Sequence, residues 1–146
     1  MENIKKNNMS NKRIVIFIDG GARGNPGPAA IGMVFPDFEK EYGEKIGVAT
    51  NNVAEYKAVI FGLKKAKQLL GGNECEKTEI EIRSDSELVV NQISAKYKIK
   101  DEDLKPLFID VWNLMQDFKK VSFVHVPREK NKEADTLVNQ ALDTLL

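Results

Sequence analysis

The segment Ile14–Asp19 reads Ile-Val-Ile-Phe-Ile-Asp and stops at Gly20-Gly21. A continuous apolar run with a β-branched bias predicts a strand covered on both faces. Asp19 is the last residue of this otherwise apolar strand. Dense turn chemistry follows in Gly24-Asn25-Pro26-Gly27-Pro28. Ala30–Phe35 and Tyr42–Ala49 read as two further strands separated by a turn at Pro36-Asp37, so the first three strands form an antiparallel meander.

The pattern then changes period. After Asn51-Asn52, apolar and small residues recur at Ala58, Val59, Gly62, Leu63 and Ala66 until Gly71-Gly72, which predicts a helix. Thr78–Ser84 alternates, with Thr78, Ile80 and Ile82 on one face and Glu79, Glu81 and Arg83 on the other; it is a strand with one face partly open to solvent. A short helix is expected at Ser86–Ser94 and a longer one at Asp103–Phe118. Val121–Val126 is a last strand closed by Pro127. Asn131–Leu145 is a last helix, striped by Ala134, Leu137, Val138, Ala141, Leu142 and Leu145. Parallel strands need crossovers, so the order βββαβααβα predicts an α/β fold with a five-stranded mixed sheet and helices on its faces.

A chain of 146 residues favours one domain, and 42% hydrophobic with 30% charged residues excludes a disordered or fibrous chain. No apolar run is long enough to cross a bilayer, and Met1–Lys12 lacks the apolar stretch of a signal peptide. The single cysteine, Cys75, excludes an internal disulfide or a multi-cysteine metal site and fits a reducing cytoplasm, the expected location. Net charge is zero, with 22 basic and 22 acidic residues, but the division is uneven. Met1–Arg13 holds four basic residues and one acid, net +3, which leaves the remainder at −3. Residues 1–12 are expected to be a disordered basic tail and residues 13–146 the folded domain. A mildly acidic body argues against gripping nucleic acid by a broad basic face alone.

Four acids fall at informative places. Asp19 and Asp85 end strands, Glu55 shares the buried face of its helix, and Asp135 lies in the first turn of the last helix. Such positions can converge on one crevice beyond the carboxyl ends of the strands. Singly, each has an ordinary explanation: Asp19 as a turn residue, Glu55 as part of a capping box with Asn52, Asp85 as a helix cap, and Asp135 as a complement to the helix dipole. Together they repel, by roughly 4 kcal/mol for two carboxylates about 4 Å apart at an effective dielectric near 20. Divalent cations reverse that sign. An all-oxygen ligand set without a Cys or His cluster implies Mg²⁺, with Mn²⁺ as a substitute. A pair of such ions clamps the attacking and leaving oxygens of a phosphodiester.

These residues resemble type 1 ribonuclease H and the ribonuclease H domain of reverse transcriptases. The likeness runs, in order, through Phe-Ile-Asp19-Gly with Gly24-Asn25-Pro26-Gly27-Pro28, Thr50-Asn51-Asn52-Val-Ala-Glu55, Ser84-Asp85-Ser86, and Pro127-Arg128-Glu129-Lys130-Asn131-Lys132-Glu133-Ala134-Asp135. The resemblance implies a ribonuclease H-like fold in which Asp19, Glu55, Asp85 and Asp135 bind two metal ions. It implies hydrolysis of the RNA strand of an RNA–DNA hybrid, leaving 5′-phosphate and 3′-hydroxyl ends. Asn25, Asn51 and Asn52 match positions near the hybrid backbone and Thr50 one near a DNA-strand phosphate, although turn formation and helix capping also account for the asparagines. A monomer without an obligatory protein partner or membrane association is expected.

The chain departs from many relatives in three ways. Ala95–Lys105 is too short for an extra helix and basic loop, which leaves Lys96, Lys98 and Lys100 as a modest substitute; a solvated loop is the alternative. The only histidine, His125, lies within a strand where a structural role is expected, so Arg128 is the candidate in the loop before the last acid, its alternative being an ion pair with Glu129 or Glu133. Glu87 stands where relatives often have Gln. Two other classes stay open at this point. One is a non-catalytic binding module, against which the retained repulsive cluster argues; the other is a resolvase- or transposase-like core, which usually lacks the Asn25 and Asn51-Asn52 residues.

Overall fold

The computed structural model describes residues 12–144. β1 (Arg13–Ala22), β2 (Gly27–Phe35) and β3 (Lys40–Ala49) form the antiparallel meander, with one 3-10 turn at Pro36–Phe38 between the last two. α1 (Asn51–Leu70) and a single helical turn, α2 (Gly72–Cys75), lead into β4 (Glu79–Ser84). α3 (Glu87–Ile93), α4 (Lys105–Met115), β5 (Lys120–His125) and α5 (Lys132–Asp143) complete the chain. β4 pairs in parallel with both β1 and β5, so the five strands lie in the order β3-β2-β1-β4-β5. The expected mixed sheet is present, and α2 is an additional turn where Gly71-Gly72 were read only as a stop. The expected tail lies outside the described residues except for Lys12, whose carbonyl already accepts from the Glu79 N–H.

The core lies between the sheet and α1. Ile14, Ile16 and Ile18 of β1, Ile31, Met33 and Phe35 of β2, and Ile80 and Ile82 of β4 meet Tyr56, Val59 and Leu63 of α1. α4 packs on α1, adding Val111, while α5 covers β2, β3 and the end of β1 from the opposite side. The second face of β1 is therefore less covered than its apolar run suggests. Val15 and Phe17 are half-buried, and Arg83 stacks over the Phe17 ring at 5.2 Å. On that face Glu81 is buried, not solvent-exposed, because Arg13 and Arg83 both pair with its carboxylate.

Glycines set how closely the two helical layers approach. A Cβ on Gly20 would lie 2.3 Å from the Ala54 carbonyl oxygen of α1. On the opposite face, a Cβ on Gly32 would lie 2.4 Å from the Ala134 carbonyl oxygen, and one on its cross-strand partner Gly43 2.9 Å from that of Leu137. Backbone thus rests on backbone at the start of α1 and along α5, drawing both helices toward the end of β1.

Gly32→Ala is expected to destabilise the protein by roughly 1–3 kcal/mol, because neither backbone can move without lifting α5. Gly72→Ala, at a position with nothing within 4 Å of the new Cβ, should be neutral or slightly stabilising. Urea unfolding of the two variants checks this; equal midpoints would show that α5 does not depend on the glycine row.

Candidate active site

β1 outruns β4. Their parallel ladder ends at Phe17 opposite Arg83, whereas β1 continues beside β2 as far as Ala22 opposite Ala29. Asp19 is therefore inside a strand and not at its end, since Gly20 and Gly21, read from sequence as breakers, extend the pairing with β2. Past Phe17, the edge of β1 facing β4 has no strand partner among the described residues, and side chains satisfy its backbone groups. Asn131 Nδ2 donates to the Ile18 carbonyl at 2.8 Å, the Gly20 N–H donates to Glu55 Oε1 at 2.7 Å, and the Ala22 N–H donates to Asn51 Oδ1 at 2.9 Å.

Three of the four acids converge in this split. Carboxylate oxygens of Asp19, Glu55 and Asp85 all lie within 4.8 Å of one another. Asp19 and Glu55 are buried, at 7% and 6% exposure, and Asp85 is half-buried. Asp135, on the exposed first turn of α5, completes the wall and interacts with Asp19. Glu55 is held at both oxygens, Oε2 accepting from Ser84 Oγ at 3.3 Å. Neither capping explanation survives. Thr50 Oγ1 caps α1 by accepting from Val53 N–H, and Ser86 Oγ caps α3 by accepting from Val89 N–H, so Glu55 and Asp85 are left for other work. The acids line an open cleft of about 400 Å³, shared with Asn51, Asn52, Arg23 and Arg128.

Electrostatics follow from this crowding. Burial raises the Asp19 carboxyl to about 7; a hydrogen bond with Glu55 opposes the rise, and the charges of Asp85 and Asp135 add to it. Glu55 is raised well above the usual carboxylate range, first by burial and then by Asp19. In the absence of cations the pair retains a proton. Cys and His are absent from the cluster, so its donors are hard oxygens suited to a divalent ion.

The other predicted residues divide. Asn51 and Asn52 line the cleft. Asn25 is exposed outside it and ties the turn to α1, its Oδ1 accepting from the Asn51 N–H at 3.0 Å. Thr50 is a helix cap, half-buried. Arg128 is 88% exposed, with Nε 4.0 Å from Asp85 Oδ2, so its charged neighbour is the cluster and not Glu129 or Glu133. Lys96, Lys98 and Lys100 are exposed but do not line the cleft. His125 is exposed at the end of an edge strand, opposite Ser84. Glu87 accepts from the Tyr97 hydroxyl at 3.3 Å. Sequence reasoning missed three contributors: Gly20, Ser84 and Asn131. Ser84 alone was accessible, because it continues the interior parity of Thr78, Ile80 and Ile82.

Sheet order and acidic split together define an α/β protein of the ribonuclease H-like class. A family model described as "Reverse transcriptase-like" matches residues 17–141. Ribonuclease HI of Halobacterium salinarum is 41% identical over 135 residues, covering 90% of this chain and 65% of that protein; the crystal structure of RNase H1 from the same archaeon superposes with a TM-score of 0.80, covering 98% of that chain. A bifunctional protein of Mycobacterium tuberculosis is also 41% identical, over 90% of this chain, and this chain spans only 36% of that relative's length. LC11-RNase H1, from a compost metagenome, was solved in complex with an RNA/DNA hybrid; it is 44% identical, covers 89% of this chain and 96% of its own, and gives a TM-score of 0.83. The chain belongs to the type 1 ribonuclease H family.

The sign of the pH effect is fixed by the raised carboxyls. The folded, metal-free protein keeps a proton on Asp19 up to about pH 7, whereas an unfolded chain loses it near 3.8. Between those values the folded state binds more protons, so this group's contribution to stability falls as pH rises and the penalty is complete above pH 7. Asp19→Asn removes the penalty. In chelator, it should stabilise the protein by roughly 1–4 kcal/mol at pH 8 and by far less at pH 4. Denaturant titrations at the two pH values test this, and a gain independent of pH would contradict it.

Proposed function

We propose that the protein is a divalent-metal-dependent endoribonuclease that hydrolyses the RNA strand of RNA–DNA hybrids to 5′-phosphate and 3′-hydroxyl ends. The convergence of Asp19, Glu55 and Asp85 within 4.8 Å carries this reading. Raised carboxyls and a purely oxygen donor set fit Mg²⁺, with Mn²⁺ as an alternative, and Asp19, Glu55, Asp85 and Asp135 would hold two ions. When bound, such ions neutralise the cluster, activate a water and stabilise charge on the phosphate.

The chain's own residues supply position and charge. Glu55, fixed by Gly20 and Ser84, and Asp19, fixed in the sheet, form a rigid floor. Asp85 and Asp135 approach from the β4–α3 junction and from α5, so the cluster spans both helical layers. Asn51 and Asn52 at the cleft wall, with Asn25 outside it, offer amides that suit the RNA 2′-hydroxyl, which both donates and accepts, and the Thr50 hydroxyl suits a DNA-strand phosphate. Arg128 sits beside Asp85, where a guanidinium binds phosphate but cannot act as a base near neutral pH. Lys96 and Lys98 extend the contact along the backbone beyond the cleft. The family's hybrid-bound member supports the substrate class. A monomer is the proposed working form, a reading supported by the fact that every residue lining the cleft comes from one chain.

Labelled RNA–DNA hybrid, double-stranded RNA and double-stranded DNA should be separated by one assay: only the hybrid is cut, and only with Mg²⁺ or Mn²⁺. Asp19→Asn should lower cleavage by roughly three orders of magnitude or more, about 4 kcal/mol of transition-state stabilisation, while retaining hybrid binding. Cleavage persisting in chelator or in this variant would refute the site. Because the grip on the hybrid rests on a few lysine and arginine contacts to phosphate, KM should rise between dilute and physiological salt, with a slope set by that small number of contacts. A flat KM over that range would argue against lysine and arginine contacts to phosphate.

A further inference from the structure

A second polar network is buried between α1 and α3, away from the acidic cleft. Tyr56, next to Glu55 in sequence and fully buried, donates its hydroxyl to Gln92 Oε1 at 2.6 Å. Gln92, buried on α3, uses its other end to donate from Nε2 to the Lys98 carbonyl at 3.2 Å. Its neighbours on α3, Val89, Val90 and Ile93, are buried and apolar. An apolar side chain at position 92 would fill that layer as well, and a buried amide is costly unless both ends are paired. Tyr56 satisfies one end. The other is satisfied only because the chain after α3 comes back over it.

That return is closely fastened. α3 ends at Ile93, Ala95 takes a left-handed backbone with φ of 64°, and the N–H groups of Lys96 and Tyr97 both donate to the Asn91 carbonyl, at 2.8 and 3.1 Å. The Tyr97 hydroxyl reaches back to Glu87, the first residue of α3. The exposed lysines at 96 and 98 are therefore carried on a segment bound to α3 at several points, and α3 starts two residues after Asp85. A loop with no task beyond solvation does not need a buried side-chain clamp on its carbonyl.

We propose that Gln92 is a positioning residue for the reaction proposed above: through its bond to the Lys98 carbonyl it holds Lys96 and Lys98 as a fixed arm against the phosphate backbone of the hybrid. The inference rests on the hybrid-nuclease reading. Gln92 touches neither the carboxylates nor the cleft, so its contribution falls on substrate binding. A pre-ordered arm spares the ordering cost that a free loop meets on binding.

Steady-state cleavage of a labelled hybrid with Mg²⁺, over a salt series, tests this for wild type, Gln92→Leu, and Tyr56→Phe combined with Gln92→Leu. The double variant removes both polar ends and so keeps the test open if the single one folds poorly. The expected result is a KM raised about three- to tenfold, the net worth of one hydrogen bond, with kcat within twofold. The slope of log KM against log salt should also become shallower, as it does when phosphate contacts are lost. Lys96→Ala with Lys98→Ala should match that change in wild type and add little to the Gln92→Leu background. Amide exchange should accelerate at residues 95–98. Wild-type cleavage with KM and salt slope unchanged in both variants overturns the arm while leaving the nuclease reading intact. A kcat falling in step with melting temperature at constant KM also overturns it. A wild-type protein that neither cuts nor binds the hybrid overturns the nuclease reading and the arm with it.

Discussion

The hydrogen bond from the Gly20 N–H to Glu55 Oε1, 2.7 Å long, is possible only because Gly20 has no side chain and α1 rests directly on the strand. That contact brings a helix-borne carboxylate up to the strand-borne Asp19. Gly32, opposite Asp19 in β2, does the same for α5, whose Ala134 lies against it and whose next residue is Asp135. Acids from opposite faces of one sheet meet because backbone approaches backbone on both sides. Mutual repulsion of the carboxylates opposes the assembly, so the close packing of both helices must more than offset it.

The split between β1 and β4 gives the meeting point its shape. If both strands ended together, the edge groups at Ile18, Gly20 and Ala22 would pair with backbone and no polar crevice would form. Because β1 is longer, those groups recruit Asn131, Glu55 and Asn51 instead. The same side chains thus complete a ladder and line a site. Asking whether Asn51 is structural or functional has no single answer: its oxygen is committed to Ala22, and its amide hydrogens remain a separate resource. Asn131 couples the two roles differently, since it ties the start of α5, and with it Asp135, to the centre of β1.

Much of this was legible in sequence because it is periodic. The apolar run of β1, the alternation of β4 and the helical stripe leading from Glu55 fix element type without tertiary information, and Asp19, Glu55, Asp85 and Asp135 stand out against those patterns. What escaped depends on partners distant along the chain. Gly20-Gly21 look like a stop, and they continue a strand only because β2 extends beside them. Glu81 looks solvent-facing in an alternating strand, and becomes buried because Arg13 and Arg83 close over it. Glu55 three residues after Asn52 looks like a capping box, yet the cap is two residues earlier, at Thr50. His125 falls within the strand read from sequence, and its exposure is set by that strand's place at the sheet's edge.

The raised carboxyls and the inferred affinity for divalent ions are two expressions of one free energy. Burying Asp19 and Glu55 beside Asp85 costs the metal-free fold, and a proton shared by the pair is the least expensive relief available to it. A dication would relieve the same repulsion more completely, because it offsets two charges and prefers the hard oxygen donors the cluster offers. Proton and metal would therefore compete for the cluster, and packing that raises Asp19 to about 7 would weaken any metal occupancy as solution is acidified toward that value. The cations at the rim, Arg23 and Arg128, do not abolish this tension. Arg23 is engaged with Asp143, and Arg128 is almost wholly solvated. Neither neutralises the floor of the cleft, so the charge there would stay available to a divalent ion.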